Sequence, residues 1–374
     1  MNNPFVLTGY AGAEYFCDRE KELESLHDHF QNDRNVVIYA WRRLGKTVLI
    51  KRFLEELESR EDVEYLYIDL MSTRSTAEAQ KRIGNALFQR FGKKGFSQNL
   101  RRLIGALGVE TSFDPVTGMP TVSFSLSTPE DKISENLQVI GDFLNQRKKK
   151  VVVALDEFQQ VADYKGENGE AVFRDLVQSF PEIRFVFSGS RRNMMQSMFL
   201  EKNRPFYRSA QLLSLEPIVR EKYFPFISEK FNQAGKKIEE DLMSRIYDWS
   251  NGQTYCIQLI CNKLFANTKN PNIDDLKQVF QEVIDQESAV FAGHINMLSE
   301  TQWGVLRAVA LEERVANPLS SKFLTKYELK AASSVASALK KLIDHELVIK
   351  TEHNQHRVHD TLMMRWIQDL EGAT

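Results

Sequence analysis

Short apolar runs alternate with helical patterns through the first half of the chain. Four runs rich in β-branched and aromatic residues predict buried strands, over residues 35–39, 65–69, 151–155 and 184–188. Between them, apolar residues recur every three or four positions, which predicts helices over residues 19–31, 46–54, 77–91 and 132–146. Strands and helices in this order predict an α/β fold with a parallel sheet and helical crossovers.

One segment interrupts that alternation. Residues 109–113 and 121–126 read as strands, and the segment 114–118 between them is rich in turn residues. Two strand-like runs on either side of a turn predict a β-hairpin inserted into the α/β core.

The second half of the chain has a different pattern. It is purely helical over residues 217–297 and then gives three helical segments followed by short strands at 347–350 and 356–358. Three helices and two strands in this order are typical of a winged helix. We therefore expect three domains: an α/β core (1–216), a helical domain (217–297) and a winged-helix module (298–374).

The segment AWRRLGKT, residues 40–47, fits the phosphate-loop pattern except that alanine stands at its first position. It leaves a predicted strand and enters a predicted helix, which favours a nucleotide site over an ordinary turn with a surface lysine. Backbone N–H groups and the helix N-terminus would cradle the β-phosphate, Lys46 would bind the β- and γ-phosphates, and Thr47 would ligate Mg²⁺. We expect ATP contacts from Arg42, Arg43, Leu44, Gly45, Lys46, Thr47 and Val48.

Polar side chains end the third and fourth predicted strands, at the sheet edge where ligands bind in such folds. Asp156 would hold Mg²⁺ with Thr47, directly or through water, and Glu157 would polarise the attacking water. Ser188 or Ser190 would contact the γ-phosphate or that water. Arg191 would stabilise the transferring charge, although a surface ion pair is an equally good interpretation of any single arginine here. Three further arginines are alternatives for that role: Arg192, Arg204 and Arg208.

Composition and charge narrow the possible partners. The chain is 42% hydrophobic and 27% charged with a net charge of −2, so it has no overall attraction to nucleic acid or to an anionic membrane. Its three scattered cysteines form no disulfide or zinc pattern, and no apolar stretch reaches membrane-spanning length. We expect a cytoplasmic protein without membrane insertion. The histidines at 353, 356 and 359 fit a wing surface better than a metal site.

These motifs together resemble the archaeal-type ATPases, AAA-like P-loop proteins allied to the STAND signalling ATPases. FCDREKEL from residue 16 resembles the family's F-x-G-R-E-x-E-L signature, which lies near the adenine and adds Arg19 to the expected nucleotide contacts. The loop at 40–47, LDEFQ from residue 155, FSGS from residue 187 and WSNGQTY from residue 249 resemble further family motifs. Asp18 and Thr254 depart from the family's glycine and lid proline.

The resemblance implies an ATP-hydrolysing switch whose lid and winged helix report the nucleotide state to a protein partner or within a self-oligomer. The alternative is a DNA-directed ATPase that binds duplex DNA through a recognition helix over residues 331–344. Residues 298–374 hold ten Lys or Arg and ten Asp or Glu, which is a poor electrostatic match for DNA. The exposed positions of the recognition helix are expected to be Ser333, Ser334, Ser337, Lys340 and Lys341.

A degraded ATPase is a third possibility, which the intact Lys46, Thr47, Asp156 and Glu157 disfavour.

Overall fold

The computed structural model describes residues 3–91, 109–113, 120–124, 133–166, 168–351 and 353–372. The chain divides into two compact units, one formed by Arg19–Glu216 and the other by Met1–Asp18 together with Pro217–Thr374. The turn predicted at 114–118 and the end of the strand predicted to reach residue 126 lie outside the described residues.

The Arg19–Glu216 unit is an α/β structure. Its helices alternate with its strands and are α1 (Glu20–Gln31), α2 (Lys46–Glu58), α3 (Thr76–Phe91), α4 (Ile133–Asn145), α5 (Gly169–Ser179) and α6 (Arg192–Leu200). Its strands are β1 (Val36–Tyr39), β2 (Val63–Asp69), β3 (Val109–Phe113), β4 (Pro120–Phe124), β5 (Lys150–Asp156), β6 (Ile183–Gly189) and β7 (Gln211–Ser214).

A five-stranded parallel sheet forms the centre of this unit, with the strand order β2-β5-β6-β1-β7. This sheet confirms the predicted α/β fold class. Strand β7 was not predicted, because it is a four-residue edge strand whose Gln211 and Leu212 are exposed, so it carries no continuous apolar run. Strands β3 and β4 pair antiparallel in a separate ribbon, which confirms the predicted hairpin pairing.

An aromatic cluster lies beside the carboxyl ends of β5 and β6. The Phe158 ring, in the short 3₁₀ helix Phe158–Asp163, lies 4.7 Å from the Phe187 ring and 5.1 Å from the Phe206 ring, and Phe199 completes the group. All four side chains are fully buried. Close aromatic packing of this kind fixes the backbone that follows β5.

The second unit is mostly helical. A single 3₁₀ turn, Ala13–Tyr15, precedes its helices α7 (Arg220–Gln233), α8 (Glu240–Trp249), α9 (Thr254–Asn267), α10 (Ile273–Ile295), α11 (Glu300–Glu312), α12 (Ser321–Lys326), α13 (Ala332–Asp344) and α14 (Thr361–Leu370). Strands β8 (Val348–Lys350) and β9 (His356–Val358) pair antiparallel between α13 and α14. The succession from α11 to β9 is the predicted winged-helix order. No helix in the described part of the chain has both the length and the apolar composition that a membrane span requires.

Helix α14, which the sequence patterns did not predict, joins the winged-helix elements to the helices before them. Trp366 packs on Phe291 of α10, and the Arg365 guanidinium donates to the backbone oxygen of Trp249 at 2.9 Å, at the end of α8. One continuous hydrophobic core runs through this unit. Helices α7–α10 and the winged-helix elements therefore form one packed body.

Candidate nucleotide-binding site

The carboxyl ends of three adjacent parallel strands bring the candidate residues together. Strand β1 pairs with β6, and β6 pairs with β5, so all three strands end at one edge of the sheet. The loop to α2 follows β1. Asp156 is the last residue of β5 and Glu157 comes directly after it, while Ser188 lies at the end of β6 and Ser190 just beyond it. Residues far apart in the sequence therefore lie within hydrogen-bonding distance of one another.

The loop between β1 and α2 has the backbone of an anion-binding turn. Gly45, the N-cap of α2, has φ 93°, a left-handed conformation that glycine adopts without strain, and Arg43 has φ 68°. A Cβ placed on Gly45 would meet nothing within 4 Å, so the space on that side of Gly45 is open. The Lys46 ammonium, 5% exposed, donates to the backbone oxygens of Ala40 at 3.1 Å and Trp41 at 3.3 Å.

The Asp156 carboxylate is 2% exposed and accepts four hydrogen bonds. Its Oδ2 accepts from the Thr47 hydroxyl at 2.6 Å and the Tyr67 hydroxyl at 2.8 Å. Its Oδ1 accepts from the Glu157 amide at 3.0 Å and from the Ser188 hydroxyl. A buried carboxylate with this many donors is held in one orientation.

Tyr67 is a member of this group that sequence reasoning missed. Burial, followed by the adjacent Asp156 carboxylate, raises the pKa of Tyr67 well above its usual range, so the phenol stays a hydrogen-bond donor. A tyrosine in a buried strand gives no local signal of such a role. Only the pairing of β2 with β5 brings its hydroxyl to Asp156.

Glu157 is held in an unusual backbone conformation. Its φ is 55°, in the left-handed region that costs a non-glycine residue free energy. Its Oε2 accepts from the Ser190 hydroxyl at 2.7 Å and from the Gln159 side-chain amide. Gln159 is buried, and the sequence analysis gave it no role.

The structure separates the candidate arginines by their surroundings. Arg191 forms an ion pair with Asp163, Arg192 is buried with Glu216 at 3.2 Å, and Arg204 pairs with the buried Glu170 at 2.9 Å. The remaining candidate, Arg208, is exposed.

The backbone around Arg208 is well defined. Its φ is 52°, and its amide donates to the oxygen of Phe199 at 3.0 Å. The backbone of Arg208 is therefore held in place while its side chain extends into solvent.

Arg19 lies behind the phosphate loop. Its guanidinium, 6% exposed, donates to Glu22 at 2.7 Å, to the backbone oxygen of Glu216 at 2.7 Å and to that of Leu44 at 3.4 Å. Of the other expected contacts, Arg42 is exposed and Val48 half-buried in the first turn of α2.

The residues present suit a divalent cation accompanied by phosphate. The Thr47 hydroxyl and the Asp156 carboxylate bring two oxygen atoms within 2.6 Å of each other in the first turn of α2, directly after the phosphate loop. Oxygen ligands from one or two side chains, completed by phosphate and water, are what Mg²⁺ uses in nucleotide sites. The donor set therefore fits Mg²⁺.

The three histidines near the wing do not point to a common position. His353 is exposed, the Nδ1 of His356 lies 3.4 Å from the backbone oxygen of Val315, and that of the buried His359 lies 3.0 Å from the backbone oxygen of Glu346. Within the described ranges, no cluster of three or more His, Cys, Asp or Glu side chains could hold a metal ion.

Comparison with protein families gives two matches. A model described as an ATPase domain predominantly from Archaea matches residues 16–260, and one described as a probable winged helix domain matches residues 289–369. Two uncharacterized ATP-binding proteins of Methanocaldococcus jannaschii are each 25% identical to the chain, over 169 and 180 residues. These matches cover 44% and 46% of this chain and 46% of each relative, so the chain spans about half the length of the curated relatives it matches.

Solved structures share the fold. A Walker-type ATPase of Pyrococcus abyssi has a TM-score of 0.71 at 18% identity, covering 98% of this chain and 99% of that one. The ORC2 protein of Aeropyrum pernix, solved in ADPNP–ADP complexes, has a TM-score of 0.62 at 15% identity, covering 100% and 98%. The ORC1 protein of the same organism, in complex with DNA, has a TM-score of 0.53 at 12% identity, covering 96% and 94%. At these identities the similarity concerns the fold alone.

Gly189 provides a test of the Glu157 arrangement. A Cβ on Gly189 would lie 2.3 Å from Oε1 of Gln159 and 2.5 Å from Met195, so Gly189→Ala must displace the side chain that holds Glu157. We expect ATP turnover to fall about 10- to 100-fold, as for other small misplacements of a catalytic group. Binding of an ATP analogue should be unchanged, because Lys46 and Thr47 are not displaced.

The control for this variant is Gly293→Ala in α10, where an added Cβ meets nothing within 4 Å. It should leave both turnover and binding as they are. Turnover in Gly189→Ala equal to that of the wild type would show that the position of Gln159 does not matter.

Proposed function

The chain belongs to the family of ATPase domains found predominantly in Archaea, and on this premise we propose that it binds ATP at residues 40–47 and hydrolyses it. One observation carries the proposal: Thr47, Asp156 and Ser188 form one hydrogen-bonded group at the end of the phosphate loop, with Glu157 and Ser190 beside it. Phosphoryl transfer to water requires oxygen ligands for a metal and a group that orients the attacking water, and the chemistry of these side chains suits those roles.

Each side chain has a distinct part in this proposal. The α2 N-terminus and loop amides bind the β-phosphate, while Lys46 exchanges the neutral oxygens of Ala40 and Trp41 for charged phosphate oxygens, a stronger interaction. Thr47 and Asp156 would hold Mg²⁺, which when bound neutralises phosphate charge. Glu157 accepts a proton from the attacking water. Ser190 and Gln159 orient the Glu157 carboxylate.

We infer further that nucleotide state is passed on to a protein partner. Arg19 and Glu216 are the residues at which the chain enters and leaves the α/β unit, and Arg19 bonds both to Glu216 and to Leu44 of the phosphate loop. A change in the conformation of the phosphate loop therefore acts at once on Arg19, where the chain enters the α/β unit, and on Glu216, where it leaves. Because α7–α10 and the winged-helix elements share one core, the second unit responds as one body.

Two substitutions test the hydrolysis proposal. Lys46→Ala should abolish detectable ATP binding, because the loop loses the ammonium that is expected to bind the β- and γ-phosphates. Glu157→Gln should keep binding and lower turnover about 10²- to 10⁴-fold, since an amide cannot accept the proton. Phosphate release and calorimetric ATP binding measure the two effects. Lys149→Ala and Glu58→Gln, both at exposed positions, are the matched controls. Equal turnover in Glu157→Gln and wild type would contradict the proposed base.

We propose that Arg208 acts on a neighbouring copy of the chain while Arg191 acts within its own. Arg208→Ala should lower turnover by about 10³-fold, as the loss of an arginine finger does, without weakening ATP binding. Mixing Arg208→Ala with Glu157→Gln should restore activity, because one variant keeps its active site and the other keeps its finger. The mixture of Arg191→Ala with Glu157→Gln should stay inactive. If turnover does not recover in the mixture of Arg208→Ala with Glu157→Gln, Arg208 does not act on a neighbouring copy.

Duplex DNA is the second candidate partner. Helix α13 exposes Ser333, Ser334, Ser337, Lys340 and Lys341, as predicted, so these side chains are available to phosphates. The balance of ten basic and ten acidic residues over 298–374 favours protein over DNA.

DNA binding by the intact chain decides between these partners. We expect turnover to be the same with and without duplex DNA, and no retention of the chain on DNA at about 100 mM salt. Retention that is lost in the Lys340→Glu, Lys341→Glu double variant, together with DNA-stimulated turnover, would replace the protein partner with DNA.

A further inference from the structure

The proposed function leaves the contact between Tyr67 and Asp156 without a role. Tyr67 lies in β2, paired with Ala154 of β5, and its hydroxyl reaches across to Oδ2 of Asp156 at 2.8 Å. The same oxygen accepts from Thr47 at 2.6 Å. The hydroxyl therefore occupies one side of the atom that is expected to face the cation.

The other carboxylate oxygen of Asp156, Oδ1, also has its hydrogen-bonding positions occupied. An ionised carboxylate oxygen accepts about two hydrogen bonds, one for each lone pair. Oδ1 accepts from the Glu157 amide at 3.0 Å and from the Ser188 hydroxyl. With Tyr67 on Oδ2, the one remaining direction of approach is the side that Thr47 occupies.

We propose that Tyr67 is a positioning residue that restricts a divalent cation to one direction of approach to Asp156, and so favours Mg²⁺ over Ca²⁺. The inference rests on the proposed ATP site. Mg²⁺ demands near-ideal octahedral geometry, whereas Ca²⁺ accepts more ligands in looser arrangements. A carboxylate held by Tyr67, Ser188 and a backbone amide cannot turn to suit the larger ion.

Tyr65 offers a matched control within the same strand. It lies two residues before Tyr67, and its hydroxyl donates at 3.1 Å to the exposed Glu58, which belongs to no part of the proposed site. Tyr67→Phe and Tyr65→Phe each remove one hydroxyl from one face of β2. A general loss of strand packing would affect both variants, whereas loss of cation positioning affects Tyr67→Phe alone.

The test is calorimetric binding of a non-hydrolysable ATP analogue to the full chain in EDTA and across Mg²⁺ and Ca²⁺ series. For Tyr67→Phe we expect wild-type affinity in EDTA and a rise of about 10-fold or more in the Mg²⁺ concentration for half-maximal enhancement of binding. The preference for Mg²⁺ over Ca²⁺ should shrink. Tyr65→Phe should match the wild type throughout, and thermal melting should show both variants folded.

Three results would count against the inference, and they are distinguishable. Tyr67→Phe with wild-type Mg²⁺ dependence overturns the role of Tyr67 and leaves the ATP site standing. The same shift in Tyr65→Phe overturns it as well, because the cause would then be the strand. Wild-type binding that is indifferent to Mg²⁺ overturns the proposed Mg·ATP site and the inference with it.

Discussion

The parallel pairing of β1, β6 and β5 is the constraint on which the rest of the α/β unit depends. Val36–Tyr39 pairs with Val186–Gly189, and Val151–Leu155 pairs with Ile183–Phe187, so the three strands end together. Nearly every side chain in these strands is buried, so both faces of the sheet are packed. A shift in register would exchange side chains between two close-packed faces and disrupt the packing of both. The phosphate loop, Asp156 and Ser188 lie together because the register of the three strands that carry them is fixed.

Several energetically unfavourable features lie close together where the phosphate loop, Asp156 and Ser188 meet. Asp156 is a buried charge, and Arg43 and Glu157 have left-handed backbones that non-glycine residues adopt at a cost of about 1–3 kcal/mol each. Hydrogen bonds to Asp156 offset its desolvation, and the packed Phe158 ring holds the chain immediately after Glu157. Strained backbone conformations persist where the surrounding structure holds them in place. Here Arg43 and Glu157 both lie next to the expected position of the phosphates.

The sequence predicted features whose signal is local and missed those that arise between strands. The four apolar strands and the phosphate loop are continuous segments, so their residue patterns were sufficient. Strand β7 was missed because it is short and half exposed, and Tyr67 because its role needs β5 as a neighbour. The sequence favoured Arg191 and left Arg192, Arg204 and Arg208 as alternatives. Only their different surroundings, above all the burial of Arg192 and the exposure of Arg208, distinguish them.

Arg19 connects the phosphate loop to the residue at which the chain leaves the α/β unit. The family signature predicts a nucleotide contact for Arg19, which stays a prediction. Its guanidinium also bonds to Glu22 and to the backbone oxygens of Leu44 and Glu216. A ligand shifts an equilibrium only through interactions that differ between two states. If nucleotide moves the loop at Leu44, the Arg19 bonds differ between the bound and free states, and so does the hold on Glu216. Under the proposed function, the Arg19 guanidinium would couple the position of Glu216 to the conformation of the phosphate loop.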